Sequence, residues 1–519
     1  MPFHRRAQVP FKGAFGVLLY PKTQRIHHPD QLFSLGIARP RKRQKRLAGF
    51  LKAVGLHQIT RNLHICRRRG CAGQSDRHNA RVKKLFHILA FCVALPAVAA
   101  DLPRPLTDDD FLPVDAAKAK IGQLLFYDKI LSGNRNISCG TCHHHDLAGG
   151  DGLSLGIGEG GSGVGKKRVA QGDQDRIRKR IPRNAPALWN LGARDVTVLF
   201  HDGRLEVSDI YGNGFNSPAQ EWLPQGLESI LAAQALFPLT ARFEMSGDPE
   251  ENEVSGAVND RIDSAWPIIA KRVRTISDYG RLFVEAFEHI DRPEQVTIVE
   301  IGNALAAFMA SEWRNHDSPF DRYLKGDLHA LGPKAKRGMD LFYGEANCAS
   351  CHTGPLLSDQ SFHALALPAF GPGKTRPFDP QPRDVGRMGK SDLLEDAYRF
   401  RTPMLRNVAL TAPYGHNGAY ATLDGIVRHH LNPLAALDAW RTEFAHLPKA
   451  EWLEPVDFIV QADTREMERQ RRAIDITPVE LSDEDVAAIV AFLESLTGET
   501  AQKRPLGRPK KVPSGLTVD

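Results

Sequence analysis

The sequence predicts a mainly α-helical protein built from two similar halves. Three observations predict it. Cys139-Gly140-Thr141-Cys142-His143 returns as Cys348-Ala349-Ser350-Cys351-His352. Apolar residues recur at helical spacing just ahead of each motif, over 116–127 and 334–343. The same spacing returns over 296–313 and 481–496, which predicts two further packed helices, the second closing the second half.

C-x-x-C-H is the attachment signature of c-type haem. The two thiols add to the porphyrin vinyl groups, and the next His lies where it binds the iron. One match is weak, because a bare C-x-x-C is also a redox dithiol or half a zinc site. Two full matches are specific. All four cysteines after residue 100 sit in these motifs, so none remains to complete an all-cysteine zinc site beside either.

The 519 residues are enough for two or three domains. The net charge of +7 is unevenly spread. Residues 1–100 hold 20 Lys and Arg against Asp30 and Asp76, a balance of +18 that leaves −11 for the rest. A nucleic-acid partner is therefore not expected. Within 82–100, Lys83-Lys84 precede an apolar run from Leu85 to Leu95 and small residues up to Ala100. This reads as a secretory signal peptide, too short to span a bilayer. Residues 1–81 are then an upstream extension from a mis-called start, or a basic arm. Export suits the chemistry, since c-type haem is attached outside the cytoplasm, and the expected location is the periplasm.

The first half, 101–293, opens on an extended leader and the helix 116–127. The glycine-dense loop 148–167 contains Gly160-x-x-x-x-Gly165-Lys166, close to a phosphate-binding loop. Lys167 replaces the required Ser or Thr and no strand precedes it, so the phosphate reading is rejected. A mobile loop over a haem face is expected instead. Arg176–Arg180 reads as a solvated basic face, His144 and His145 as exposed, and the acidic stretch 246–264 as a loop.

Ile181-Pro-Arg-Asn-Ala-Pro-Ala187, Leu199-Phe-His-Asp-Gly-Arg204, Gln234 and Glu244-Met245, with the two haem motifs, resemble the bacterial di-haem cytochrome c peroxidases and the related MauG-type enzymes. The resemblance implies two cytochrome c-like domains, each with one covalent c-type haem, facing a shared interface. It also implies that Gln234 and Glu244 overhang the open face of the first haem. Splitting peroxide needs a base that takes a proton from the near oxygen and returns it to the leaving one. Glu244 suits that role, and the Gln234 amide suits holding the peroxide. On its own, a Glu between Phe and Met is ordinary. His201 departs from the family, which has Trp there between the haems; Trp189 and Trp222 are the other candidates for an electron relay. The insertion 207–231 is a second departure.

In the second half, 294–500, the second haem requires a sixth ligand if it only transfers electrons. Met388, Met404, His416, His429 and His430 are the candidates. The family places its ligand after a helix matching Thr422-Leu-Asp-Gly-Ile-Val-Arg-His-His430, which selects His430, with Met404 the alternative. Many members also carry a blocking His in the glycine-rich loop. Here that loop offers only Glu159, so the first haem is expected open even when oxidised. Phe400–His416 matches the family closely and implies calcium at Asn184, Thr411 and Pro413, whose oxygens suit a hard cation. Met309 reads as core, and the tail 501–519 as irregular.

The reading is a periplasmic di-haem peroxidase. It reduces hydrogen peroxide to water with electrons from a small redox protein, a cytochrome c or cupredoxin. A MauG-type oxidase acting on a partner protein and a non-enzymatic electron carrier or sensor are the alternatives. No integral membrane segment is expected, and a homodimer is left open.

Overall fold

Each half turns on a helix crossing closed by glycine. The helix Ala116–Phe126 crosses Ile298–Glu312, and Pro333–Tyr343 crosses Asp483–Glu494. At Gly122 a Cβ would lie 1.9 Å from the Ala304 carbonyl oxygen; at Gly338 it would lie 1.9 Å from that of Ala488. Only hydrogen fits at either point. Gly122→Ala and Gly338→Ala each force the backbones apart and are expected to destabilise by about 3 kcal/mol or more. A chemical-denaturation midpoint checks this.

The computed structural model describes residues 101–519 apart from 173–175, 377–378 and 502. The expected signal peptide at 82–100 and the extension 1–81 lie outside the described residues. The protein is mainly helical. Its few strands are short and antiparallel: Gly161–Ser162 with Val169–Ala170, Val198–Leu199 with Leu205–Val207 and then Phe215–Asn216, and Phe362–His363 with Phe400–Arg401. Among the described residues no helix is long and apolar enough to cross a membrane.

Capping residues explain where the helices start. Asp115 accepts from Ala117 and Lys118 N–H, Thr297 from Val299 N–H, Thr422 from Gly425 N–H and Ser482 from Asp485 N–H. Each begins where the sequence placed it, within two residues. The stretch 246–264 is different. It holds a helix, Glu253–Asp260, started by Asn252, whose side chain accepts from Val254 and Ser255 N–H. The polar composition hid a helix that its cap announces.

Two large apolar cores follow from the crossings. One gathers mainly residues between Leu106 and Trp313, the other mainly residues between Phe320 and Leu496. Ile298–Glu312 packs in the first. Met309 is core, as expected. Among its described residues the tail 501–519 has no helix, yet it is bound along the first core. Ala501 and Val512 are buried there, Gln123 donates to the Leu506 and Gly507 carbonyls at 2.7 Å, and the Ser514 hydroxyl donates to Asp128 at 2.6 Å. Tail and first half therefore form one packing unit.

The Arg176–Arg180 cluster is not a uniform solvated face. Arg180 is buried and donates to both carboxylate oxygens of Asp457, at 2.7 and 2.8 Å, and to the Pro448 carbonyl. Ile177 packs with Ala450 and Leu453 in a small third core. The partner segment lies about 280 residues away in sequence, beyond any local pattern.

Candidate functional site

The short helix Cys139–Cys142 carries the first motif, and a turn at Cys348–Ser350 carries the second. In both, the His that follows is fixed by its own loop. His143 Nδ1 donates to the Gly149 carbonyl at 2.9 Å, and His352 Nδ1 donates to the Leu357 carbonyl at 3.1 Å. This leaves Nε2 of each ring as the free lone pair, the arrangement that metal-binding imidazoles use. Burial pushes His143 down. Burial and the neighbouring His430 push His352 down to about 4. Both rings are neutral at physiological pH and can ligate.

Burial pushes the Cys139, Cys142 and Cys348 thiols up to about 12. A redox dithiol needs a low-pKa thiolate, so these sites do not suit one. Protonated thiols in apolar surroundings fit thioether formation instead.

Beside the second motif lies a cavity of about 690 Å³, lined by Cys348, Cys351, His352, Met404, His430 and Trp189 among others. It falls within the size range of cofactor sites, about 300–1,000 Å³. The rings of His352 and His430 face each other with centroids 6.3 Å apart. Imidazole nitrogens bound to one metal lie about 2 Å from it, so two ring centroids flanking a single ion fall about 6 Å apart. His430 Nδ1 donates to the Ile426 carbonyl at 2.8 Å, again leaving Nε2 free. The other candidates are otherwise engaged. His429 bonds the Tyr420 hydroxyl and the Leu365 carbonyl through its two nitrogens. His416 stacks flat on Phe400 at 3.6 Å. Met404 lines the cavity while packing against the first core, and Met388 is buried in a short helix.

Gln234 sits near the end of the helix Ile230–Ala235, and Glu244 in the wide turn Arg242–Ser246. Both are half-buried, and neither side chain has a hydrogen-bond partner among the described residues. The Glu244 charge acts on the Cys142 thiol and on Lys374. The glycine-rich loop backs this turn: Glu159 N–H donates to the Glu244 carbonyl at 3.0 Å. Arg168 is buried and ties the loop down through the carbonyls of Ile157, Gly158 and Gly163. An anchored loop replaces the mobile one expected. Glu159 Oε1 accepts from Asn134 and Asn136 at 2.8 and 2.7 Å, which holds that carboxyl aside.

Lys374 went unnoticed in the sequence. It reaches the same region from the second half, and burial pushes it down to about 8. No local pattern marks it. His144 is buried, not exposed as expected, and its backbone bridges to Gly150 in the turn that supports His143. Trp222 is 46% exposed and stacks under Arg261, away from any cavity described, whereas Trp189 is buried.

Arg183 clamps the halves together. It pairs with Asp202 at 2.7 Å and with both oxygens of Asp384 at 2.7 Å. Burial alone would raise Asp202, but Arg183 and Arg204 outweigh it and hold the carboxyl well below its usual range. His201 Nε2 donates to the Asn184 carbonyl at 3.1 Å, and burial pushes it down to about 4. Asn184, Thr411 and Pro413 line the same cavity wall. Cys351, Asp359 and His363 also lie within 4.8 Å of one another, but that trio loses its sulfur once Cys351 carries haem.

Residues 116–329 match the family described as di-haem cytochrome c peroxidase. The match supports the resemblance read from the sequence. Among its relatives is a methylamine utilization protein MauG from Methylorubrum extorquens, 26% identical over 75% of this chain and 80% of that one. A cytochrome c peroxidase from Escherichia coli is 31% identical over 61% of this chain and 53% of its own. The crystal structure of a MauG-like protein associated with microbial copper homeostasis is 25% identical, with a TM-score of 0.51, covering 81% of this chain and 99% of that one. Peroxidase and MauG-type names thus both occur among the relatives of this chain.

Proposed function

We propose that the protein is a periplasmic di-haem peroxidase that reduces hydrogen peroxide to water with electrons from a small redox protein. The observation that supports this reading is a pair of half-buried polar side chains without hydrogen-bond partners among the described residues: Glu244, whose charge reaches Cys142 of the first motif, and Gln234, ten residues before it. The haems, held through Cys139, Cys142, His143, Cys348, Cys351, His352 and His430, supply iron and redox equivalents. The chain's own residues do the rest. The Gln234 amide orients the peroxide. Glu244 accepts the proton of the near oxygen and passes it to the leaving oxygen. Two electrons and two protons convert each peroxide to two waters.

Two cytochrome c-like domains are supported by the repeated order of crossing helix, motif and closing helix in each half. The loop without His, with Glu159 held aside, supports an open first haem. The balance of −11 over residues 101–519 favours a basic donor.

Calcium between the halves is supported by free oxygens. Asn184 Nδ2 donates to the Leu153 carbonyl at 2.7 Å, leaving Oδ1 without a partner. The carbonyls of Thr411 and Pro413 also accept no bond among the described residues. One calcium per chain is expected by calorimetric titration, with affinity lowered at least about tenfold in Asn184→Ala.

Peroxide-dependent oxidation of a reduced small cytochrome c tests the reading; no oxidation, with an unresponsive haem spectrum, returns the carrier or sensor. A MauG-type reaction on a partner protein keeps one support, the absent blocking His. His201, where that type has Trp, counts against it.

A further inference from the structure

We infer that Trp189 is the electron bridge between the two haems, on a path that runs along the ligand-bearing sides of both and does not pass residue 201. The inference rests on the reading that both motifs carry haem, but not on peroxide being the substrate.

The path is continuous in the structure. It starts at the first haem's ligand, where His143 Nδ1 donates to the Gly149 carbonyl at 2.9 Å. Gly149 lies so close under Trp313 that a Cβ would come within 2.7 Å of the indole nitrogen. The Trp313 carbonyl accepts from Asn190 N–H at 2.7 Å. The two strands are pinned again by Asn190 Nδ2 to the Asn315 carbonyl at 2.9 Å and Asn315 N–H to Asn190 Oδ1 at 2.8 Å. Asn190 is peptide-bonded to Trp189, and the Trp189 indole lines the cavity that holds Cys348, Cys351 and His352. From the other side, the loop that fixes His352 through the Leu357 carbonyl buries Leu356 in the same core as Trp189 and Trp313. Electronic coupling decays more slowly through covalent and hydrogen bonds than across gaps, and this path has few gaps.

The surroundings of Trp189 make it a bridge and not a resting site for the missing electron. The Arg504 guanidinium lies over its ring at 5.7 Å, and a cation there disfavours an indole radical cation. Its buried Nε1 has no hydrogen-bond partner, so no neighbour stands ready to take its proton. Each transfer then moves one electron from the reduced second haem to the oxidised first haem, with no proton moved at the indole. Trp189 thus acts as a coupling residue, with no part in the proton transfer assigned to Glu244.

The test uses the purified holoprotein without peroxide. A photochemical reductant delivers less than one electron per chain, and the Soret bands follow its passage between haems. Both midpoint potentials are measured for each variant, so rates are compared at equal driving force. Trp189→Leu is expected to slow interhaem transfer at least about tenfold, and Trp189→Phe, which keeps an aromatic ring and the packing, by a few-fold. His201→Asn is expected to change it less than about twofold. An unchanged rate in Trp189→Leu, or in Trp189→Phe if the leucine variant does not fold, overturns the bridge. So does a larger loss in His201→Asn than in the Trp189 variants. A pyridine spectrum with fewer than two haems overturns the two-haem reading and the bridge together; two haems with no effect at Trp189 overturn the bridge alone.

Discussion

Glu244→Gln lowers peroxide turnover by about 10²–10⁴-fold, the usual contribution of a positioned acid–base group. The amide keeps the shape of the carboxylate and cannot carry the proton from one peroxide oxygen to the other. The turn Arg242–Ser246 is held by backbone bonds, with Ser246, Met245 and Glu244 N–H all donating to the Ala241 carbonyl at 3.0 to 3.1 Å, so the substitution leaves the scaffold intact. Haem content and the resting spectrum should match wild type. Steady-state oxidation of a reduced donor at saturating peroxide checks the rate. Loss of less than about threefold would place the proton chemistry elsewhere, with Lys374 the next group to test.

The second large effect is at His430. Its ring faces His352 across 6.3 Å, and both rings keep Nε2 free by donating from Nδ1 to a carbonyl. Two imidazoles on one iron give a lower potential than an imidazole with a thioether. His430→Met is therefore expected to raise the second haem's midpoint potential by ~0.2 V, within the ~0.8 V span that axial ligands cover. His430→Ala should remove the six-coordinate low-spin spectrum. Spectroelectrochemical titration reads both. If the potential of His430→Met matches wild type, while Met404→Leu changes it, the thioether at 404 is the ligand.

Much of this is legible in the sequence. The repeated C-x-x-C-H marks four cysteines and two histidines, because it sets two thiols and the following imidazole at the spacing that c-type haem attachment uses. Helices with a marked apolar period and a capping residue, such as 116–126 and 483–494, began within two residues of expectation. The misses share a cause. His144 is buried by the turn that supports its neighbour, and Arg180 by a carboxylate some 280 residues away. Neither contact has a local signature. The tail 501–519 carried the composition of an irregular segment and is irregular, yet its backbone groups are satisfied by the first core: Leu506 and Gly507 N–H donate to Glu312 at 3.0 and 2.9 Å. Polarity alone did not distinguish a free tail from a bound one. The helix at 253–260 was the one miss with a readable signal, its Asn252 cap.

The absence of a blocking His from the loop 148–167, and the tethering of Glu159 by Asn134 and Asn136, make the open first haem the central claim. The most direct measurement is peroxide turnover by the fully oxidised holoprotein, mixed with a reduced small cytochrome c and compared with protein reduced beforehand by one electron. The account predicts turnover from the first seconds, without a lag and at equal rates in both samples. A lag that prior reduction abolishes would contradict it, and would mean that a ligand leaves the first haem only on reduction.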